Sequence, residues 1–250
     1  MRTALVTGAS RGLGRAVAVE LARRGWTHLG LACRSAEGLV PLPATGGRQP
    51  ATVVLPGDLA DPRVPDRIVG EFLAFTGGRL DLLVNNAGAF SAGLVLGLPE
   101  AEWDRQVAVN LSAPFRLMRA AAAALAASRG AVVNVSSLVG FRGGAGAGPY
   151  SAAKAGLEAL TRAAAVEWGA SGVRVNAVIP GFLAETDMGR ASSPEYLAGV
   201  LVESPLGRAA EVACAARLVA ELAEPGAVTG QVLSLEGRAG RADAPPLALP

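Results

Sequence analysis

Short runs of consecutive apolar residues alternate along the chain with stretches in which apolar positions recur every three or four residues. The runs at 3–6, 29–33, 52–55, 80–84, 131–135, 173–178 and 231–235 predict strands, and their near-continuous apolar character fits strands covered on both faces. Helices are predicted between them, over 12–24, 62–75, 100–127, 151–168 and 209–222. In the first of these, Leu13, Val17 and Leu21 recur at four-residue spacing and make one apolar stripe. This alternation predicts an α/β chain, a Rossmann-type, doubly wound, parallel seven-stranded sheet with helices on both faces.

Two stretches break the pattern. Residues 35–50 hold Pro41, Pro43, Pro50, Gly46 and Gly47, so a helix in that crossover should be short or broken. Residues 242–250 are rich in proline and small side chains and read as a tail, either frayed or docked on a neighbour. No repeat or composition break divides the rest, so residues 1–241 are expected to form a single domain.

Composition narrows the function classes. With 51% hydrophobic and 18% charged residues the chain can fill a large core, which argues against disorder for most of it. A formal charge of +2 gives no reason to expect a polyanionic partner, and there is no basic run for nucleic acid. Cys33 and Cys214 lie far apart without a CxxC, so no metal site and no disulfide framework is expected. No apolar stretch approaches the ~18 residues of a membrane span. The alanine-rich piece at 120–127, between Arg119 and Arg129, reads as a buried helix face, and the first residues do not resemble a signal peptide. A cytoplasmic protein is expected.

The segment Thr7-Gly8-Ala9-Ser10-Arg11-Gly12-Leu13-Gly14 follows the first strand and opens the first helix. Glycines there allow a tight turn and close approach of backbone to a pyrophosphate, which the helix N-terminus favours electrostatically. Gly8-Ala9-Ser10-Arg11-Gly12 also matches a GxSxG nucleophile elbow, which needs an acid and then a histidine later in the chain. The only histidine is His28, and no Asp lies between it and Ser10, so the hydrolase reading fails. His28 reads as a structural surface residue.

NAD readers commonly carry an acidic residue at the end of the second strand for the ribose 2′-OH. Here Cys33 stands there, followed by Arg34, while Arg11 comes from the glycine turn. Two guanidiniums suit a 2′-phosphate, which points to NADPH (NADP+).

A ketone receiving hydride develops negative charge on oxygen and needs a hydrogen-bond donor and a proton source. Tyr150 and Lys154 lie four apart on a predicted helix and share a face. An ammonium nearby should lower the phenol pKa from ~10 toward working pH. Ser137, thirteen residues before Tyr150 at the end of the fifth strand, can hydrogen-bond the carbonyl oxygen, with Ser136 beside it able to close the strand.

Taken together, the glycine turn, Asn85-Asn86-Ala87-Gly88 and Tyr150-Ser151-Ala152-Ala153-Lys154 resemble the short-chain dehydrogenase/reductase family, and more narrowly its 3-oxoacyl-thioester reductases. The resemblance runs from Thr3 to about Leu235. It implies that Gly8, Ser10, Arg11, Gly12, Leu13 and Gly14 line the pyrophosphate turn and that Asp58 and Leu59 border adenine. Asn86, Ala87 and Gly88 would pass along the adenosine ribose, and Asn85 would either join them or tie strands together. Pro180, Gly181 and Thr186 would hold the nicotinamide end, with one extra residue between Gly181 and Thr186. Lys154 would also hold the nicotinamide ribose together with Tyr150, and Asn110 a water linking Lys154 to solvent.

The segments 137–140, 180–182, 185–188 and 205–208 resemble those of the carrier-protein reductases, whereas Leu235-Glu236-Gly237-Arg238 departs from the family's paired-glycine ending. The resemblance implies that 1–241 is a catalytic domain with a substrate loop at about 182–205, acting on a 3-oxoacyl thioester, free or on an acidic acyl carrier protein docking a basic rim of Arg129, Arg142 and Arg190, or on a polyketide-type ketone. A secondary alcohol dehydrogenase of a free small molecule is the alternative within the enzymes. A non-catalytic dinucleotide sensor is the alternative from another class, against which the complete set Ser137, Tyr150 and Lys154 argues. The long helices are expected to make a homodimer or homotetramer.

Overall fold

In a computed structural model, residues 1–235 are described apart from 38, 45, 46 and 48, so the expected tail at 242–250 lies outside the described residues. Seven strands form one sheet in the order β3-β2-β1-β4-β5-β6-β7, every neighbouring pair parallel. They are β1 (Thr3–Thr7), β2 (His28–Cys33), β3 (Ala51–Pro56), β4 (Leu82–Asn85), β5 (Ala131–Val135), β6 (Arg174–Ile179) and β7 (Val232–Ser234). The fourth begins at Leu82, two residues later than its apolar run suggests. Leu80 is fully buried all the same, packing into the core from the preceding turn.

The helices are α1 (Gly12–Arg23), α2 (Val64–Thr76), α3 (Glu100–Val107), α4 (Ala113–Ser128), α5 (Leu138–Arg142), α6 (Gly148–Trp168), α7 (Asp187–Arg190), α8 (Pro194–Glu203) and α9 (Val212–Ala223). Strand residues alternate between two apolar layers, as a pleated sheet buried on both faces requires. Ala4, Val6, Leu82, Val84 and Val133 turn toward α1 and α9, where Leu13, Val17, Leu21 and Val219 meet them. Leu5, Leu83, Val132 and Val175 turn toward α2, α4 and α6, against Ile68, Phe72, Leu117 and Ala164.

The proline-rich crossover has no helix among its described residues. It is held instead by Arg15, whose Nη2 donates to the Pro41 carbonyl at 2.8 Å, and by Leu42, which is buried in the α1 layer.

The long helix expected over 100–127 is interrupted. Between α3 and α4 the chain takes a wider π turn over Ala108–Ser112. Pro114 lacks the N–H that would bond the Asn110 carbonyl four residues back, so the regular ladder cannot run through. Such turns recur at functional positions, and Asn110, fully buried, sits in this one.

Strand order reverses beside β1, between the branch running to β3 and the branch running from β4. A crevice at the carboxyl ends of the strands opens at such a point. Every segment carrying candidate chemistry leaves the sheet at this edge: the glycine turn after β1, Asn86 after β4, Ser137 after β5 and Pro180 after β6.

Candidate active site

The glycine turn is packed tightly enough to exclude side chains. Gly8 has φ +67°, and a Cβ on Gly14 would lie 2.3 Å from the Gly8 carbonyl oxygen and 2.4 Å from Asn86 Nδ2. Thr7 organises the neighbouring loop. Its hydroxyl donates to the Val84 carbonyl at 3.2 Å and accepts from the amides of Asn86 and Ala87, both at 3.0 Å. Asn86 returns the brace, Nδ2 donating to the Thr7 carbonyl at 2.9 Å. A closely packed glycine turn at a helix N-terminus fits a pyrophosphate, and its backbone rather than its side chains makes the cradle. Leu13 accordingly points into the core, and so does Leu59 beside Asp58.

At the end of β2, Cys33 is buried with its thiol pushed up by desolvation, and Arg34 is exposed with no ion pair among the described residues. Asp58 caps its own loop by accepting from the Ala60 amide at 3.0 Å. No carboxylate occupies the end of β2. Arg11 is engaged otherwise than the sequence suggests: its Nε pairs with Asp187 at 2.9 Å, joining the glycine turn to α7. Both partners are about two-thirds exposed, so the pair is weak and a stronger anion can displace it. Thr186 faces the same turn, its Cγ2 3.5 Å from where a Gly12 Cβ would stand. Its hydroxyl is spent locally, donating to the Leu183 carbonyl and accepting from the Gly189 amide. Asn85 ties strands together, Nδ2 donating to Asn134 Oδ1 on β5 at 2.8 Å.

The chemical end is built on α6 and the end of β5. Pro149 sits in the first turn of α6, where a missing N–H costs nothing, and the helix therefore starts at Gly148, ahead of Tyr150. Tyr150 and Ser137 share a hydrogen bond between their hydroxyls. Lys154 is 2% exposed; its ammonium donates to the Val135 carbonyl at 2.7 Å and lies over the Tyr150 ring, 5.5 Å from the centroid. Of the two adjacent serines, Ser136 is taken by Glu158, to whose Oε1 it donates at 2.6 Å, which leaves Ser137 for the site.

The expected lowering of the Tyr150 pKa is not met. Burial pushes it up to about 12, with the Ser137 hydrogen bond pulling the other way. The ammonium lies over the ring face and spends a proton on Val135, while desolvation penalises the phenolate directly. The phenol is thus held protonated, the form that can donate. Burial likewise brings Lys154 down to about 8, against which Glu158 acts.

Asn110 clamps the loop after β4. Its Nδ2 donates to the carbonyls of Ala89 at 2.7 Å and Gln106 at 2.8 Å, and its Oδ1 accepts from the Ala89 amide at 3.2 Å. Both side-chain donors are used, so a water at Asn110 needs the main-chain carbonyl or the remaining lone pair on Oδ1. The clamp fixes the next residue, Phe90, whose ring stands edge-on to Tyr150 with centroids 5.4 Å apart. Phe90 and Glu158 went unremarked in the sequence, where Thr7 and Asp187 figured only as members of the glycine-turn and 185–188 segments. Only Glu158 carried a signal there, four residues beyond Lys154 on one helix face.

Of the three arginines expected to form a rim, Arg129 is misplaced. It caps α4 just before β5 and packs near Gly172, at the amino ends of the strands, opposite the site. Arg142 on α5 pairs with Glu203 on α8 at 3.1 Å, and Arg190 is exposed on α7.

A parallel sheet with a glycine turn at the reversal of strand order, and a Ser–Tyr–Lys constellation two strands away at the end of β5, define a nucleotide-dependent oxidoreductase architecture. The short chain dehydrogenase family model matches residues 2–197, and the chain belongs to that family of oxidoreductases. It is 39% identical over 242 residues to the 3-oxoacyl-[acyl-carrier-protein] reductase FabG of Escherichia coli K12, covering 94% of this chain and 96% of that one. Against the reductase of the same name from Staphylococcus aureus Mu50 the identity is 36%, over 94% and 97%. Among solved structures, a candidate gluconate dehydrogenase from Agrobacterium tumefaciens superposes with a TM-score of 0.86 at 31% identity, covering 98% of this chain and 97% of that one.

Proposed function

We propose that the protein is an NADPH-dependent ketone reductase in which Tyr150 protonates the carbonyl oxygen. The observation that carries this reading is the hydrogen bond joining the Ser137 and Tyr150 hydroxyls, with the buried Lys154 ammonium behind them. A carbonyl oxygen entering between the hydroxyls meets two donors. Ser137 polarises it, Tyr150 delivers the proton as charge develops, and Lys154 offsets the negative charge left on the phenol oxygen. A reduced nicotinamide dinucleotide, when bound, would supply the hydride. Gly8, Ser10, Arg11, Gly12, Leu13, Gly14, Asn86, Ala87 and Gly88 would hold it through backbone atoms, with Asp58 and Leu59 at adenine and Pro180, Gly181 and Thr186 at the nicotinamide end. Oxidation of NADPH with a panel of ketones tests the reading, and a protein that binds NADPH yet turns over none of them would be a sensor instead.

The choice of NADPH rests on Arg34, on Arg11 once Asp187 releases it, and on the absent acid at Cys33. Cys33→Asp combined with Arg34→Ala should lower the NADPH-over-NADH preference by about 10- to 100-fold, the worth of one charge-assisted hydrogen bond. The ratio of kcat/KM for the two cofactors measures it. A parent enzyme that already prefers NADH refutes the assignment.

A 3-oxoacyl thioester fits the reading, as the substrate named for the relatives. A free ketone is the second reading, favoured by exposed apolar side chains on the segments that follow β4, β5 and β6 (Leu94, Val95, Phe141, Val202 and Leu206) and by the engagement of Arg142 with Glu203. If an acidic carrier docks at Arg190 and Arg142, added salt should raise KM for the carrier-bound substrate and leave a short free ketone unaffected, because screening reaches steering before chemistry. Identical salt responses would remove the carrier. We assign the subunit contact of a homodimer or homotetramer to the outer face of α4 and α6, where Phe115 and Val166 are exposed beside a groove lined by Leu111 and Leu160.

A further inference from the structure

Lys154 and Glu158 are the only buried charged side chains among the described residues, 2% and 6% exposed. They lie four residues apart and so share one face of α6, with Lys154 engaged at the Val135 carbonyl and Glu158 at Ser136 rather than in a direct ion pair. Lys154 is also the only lysine in the chain; every other strongly basic side chain is arginine. An arginine cannot give up its proton in a protein, whereas a lysine can, so this one position alone carries a titratable cation of that strength. Glu158 is anchored by Ser136, itself 2% exposed, whose hydroxyl donates to the carboxylate at 2.6 Å. Ser136 stands between Val135, which accepts from Lys154, and Ser137, which meets Tyr150. Opposite charges buried on one helix face act on each other without touching, because little water lies between to screen them.

We propose that Glu158 is a positioning residue that acts through Lys154, serving as the buried counter-charge that keeps its amine protonated during turnover. The proposal rests on the reading of Lys154 given above only for its consequence in catalysis; the charge coupling stands on its own. Burial pushes the Lys154 pKa down from its ordinary range to about 8, and Glu158 is the one charged group that pushes it back. The other elements packed on α6 carry Glu100, Glu102, Asp104 and Arg105 on α3, Arg116 and Arg119 on α4, Arg142 on α5 and Arg174 on β6. All are exposed or half-buried, and α6 itself adds the Tyr150 phenol, under the ammonium, and the exposed Arg162 and Glu167. Without Glu158 the ammonium would keep only the Val135 carbonyl, a neutral acceptor, against desolvation. Its folded pKa lies below that of a free lysine, so the proton is present at low pH and lost as pH rises through the folded value. Removing the carboxylate moves that loss to lower pH.

The single lysine makes the test direct. In protein labelled with 13C-lysine, one side-chain signal reports the Lys154 titration. Glu158→Gln keeps an acceptor for Ser136 and removes only charge, and should lower the titration midpoint by about one to three units. Glu158→Met should do the same and covers the case in which Gln folds poorly, whereas Glu158→Asp, which retains charge, should stay nearer the parent. In parallel, the alkaline limb of ketone reduction at saturating NADPH should move down with the midpoint, with kcat at low pH largely kept. An unmoved midpoint in both neutral variants overturns the proposal, because a merely structural Glu158 would change stability without changing the titration. If the parent reduces no ketone, the proposed function fails while the lysine signal still decides the role of Glu158.

Discussion

Tyr150→Phe should reduce ketone turnover by about 10²–10⁴-fold, the usual cost of a lost acid, while leaving the fold in place and costing NADPH affinity no more than one hydrogen bond, about tenfold. The ring stays: its edge contact with Phe90 and its place under the Lys154 ammonium depend on carbon atoms, not on the hydroxyl. What goes is one hydroxyl and its bond to Ser137, worth about 1 kcal/mol in stability. Single-turnover rates at saturating cofactor, with NADPH binding followed by fluorescence, separate the two effects. Turnover equal to that of the parent would eliminate Tyr150 as the acid. The high phenol pKa sharpens the expectation: with a value of about 12 the donor form is fully populated at every pH near neutrality. Loss of activity on the alkaline side should therefore follow Lys154, near 8, well before the phenol titrates.

Gly14→Ala should damage fold and cofactor binding together. The added methyl would lie 2.3 Å from the Gly8 carbonyl and 2.4 Å from Asn86 Nδ2, neither of which can yield freely. Gly8 is the turn itself, and Asn86 is held by its bond to the Thr7 carbonyl. Either α1 retreats or the turn opens. Overpacking of this kind costs about 1–3 kcal/mol, which for a chain of this size lowers Tm by about 2–12 °C. NADPH affinity should fall more than about tenfold, the effect of losing a single well-placed hydrogen bond or more at the pyrophosphate. Gly70→Ala on the exposed side of α2 is the matched control, since nothing lies within 4 Å of its added Cβ. There the same substitution should stabilise the protein by about 0.4–1 kcal/mol by restricting the unfolded chain. Calorimetry on both variants checks the opposite signs; a neutral Gly14→Ala would show that the turn is looser than its packing indicates.

The opposite signs expected at Gly14 and Gly70 mark the boundary of what a sequence can state. Strand and helix positions, the glycine turn and the shared face of Tyr150 and Lys154 follow from spacing between near neighbours in the chain. Periods of two and of three to four residues are local geometry, so the sequence alone determined the alternation that makes the sheet and where its candidate chemistry leaves it. Partner choice is not local. Ser136 rather than Ser137 meets Glu158 twenty-two residues away, and Asn110 clamps Ala89 twenty-one residues back, because packing brings those segments together. The interruption at Asn110 was half legible, since Pro114 stands in plain view, but only the packed helix shows that the chain widens there instead of ending. Arg129 and Arg142 look alike as residues; their position on opposite edges of the sheet comes from the topology. The direction of the Tyr150 shift turned on burial against a neighbouring charge. The sequence supplied the charge, and the tertiary structure, by removing water from around the phenol and turning the ammonium toward Val135, decided that desolvation wins.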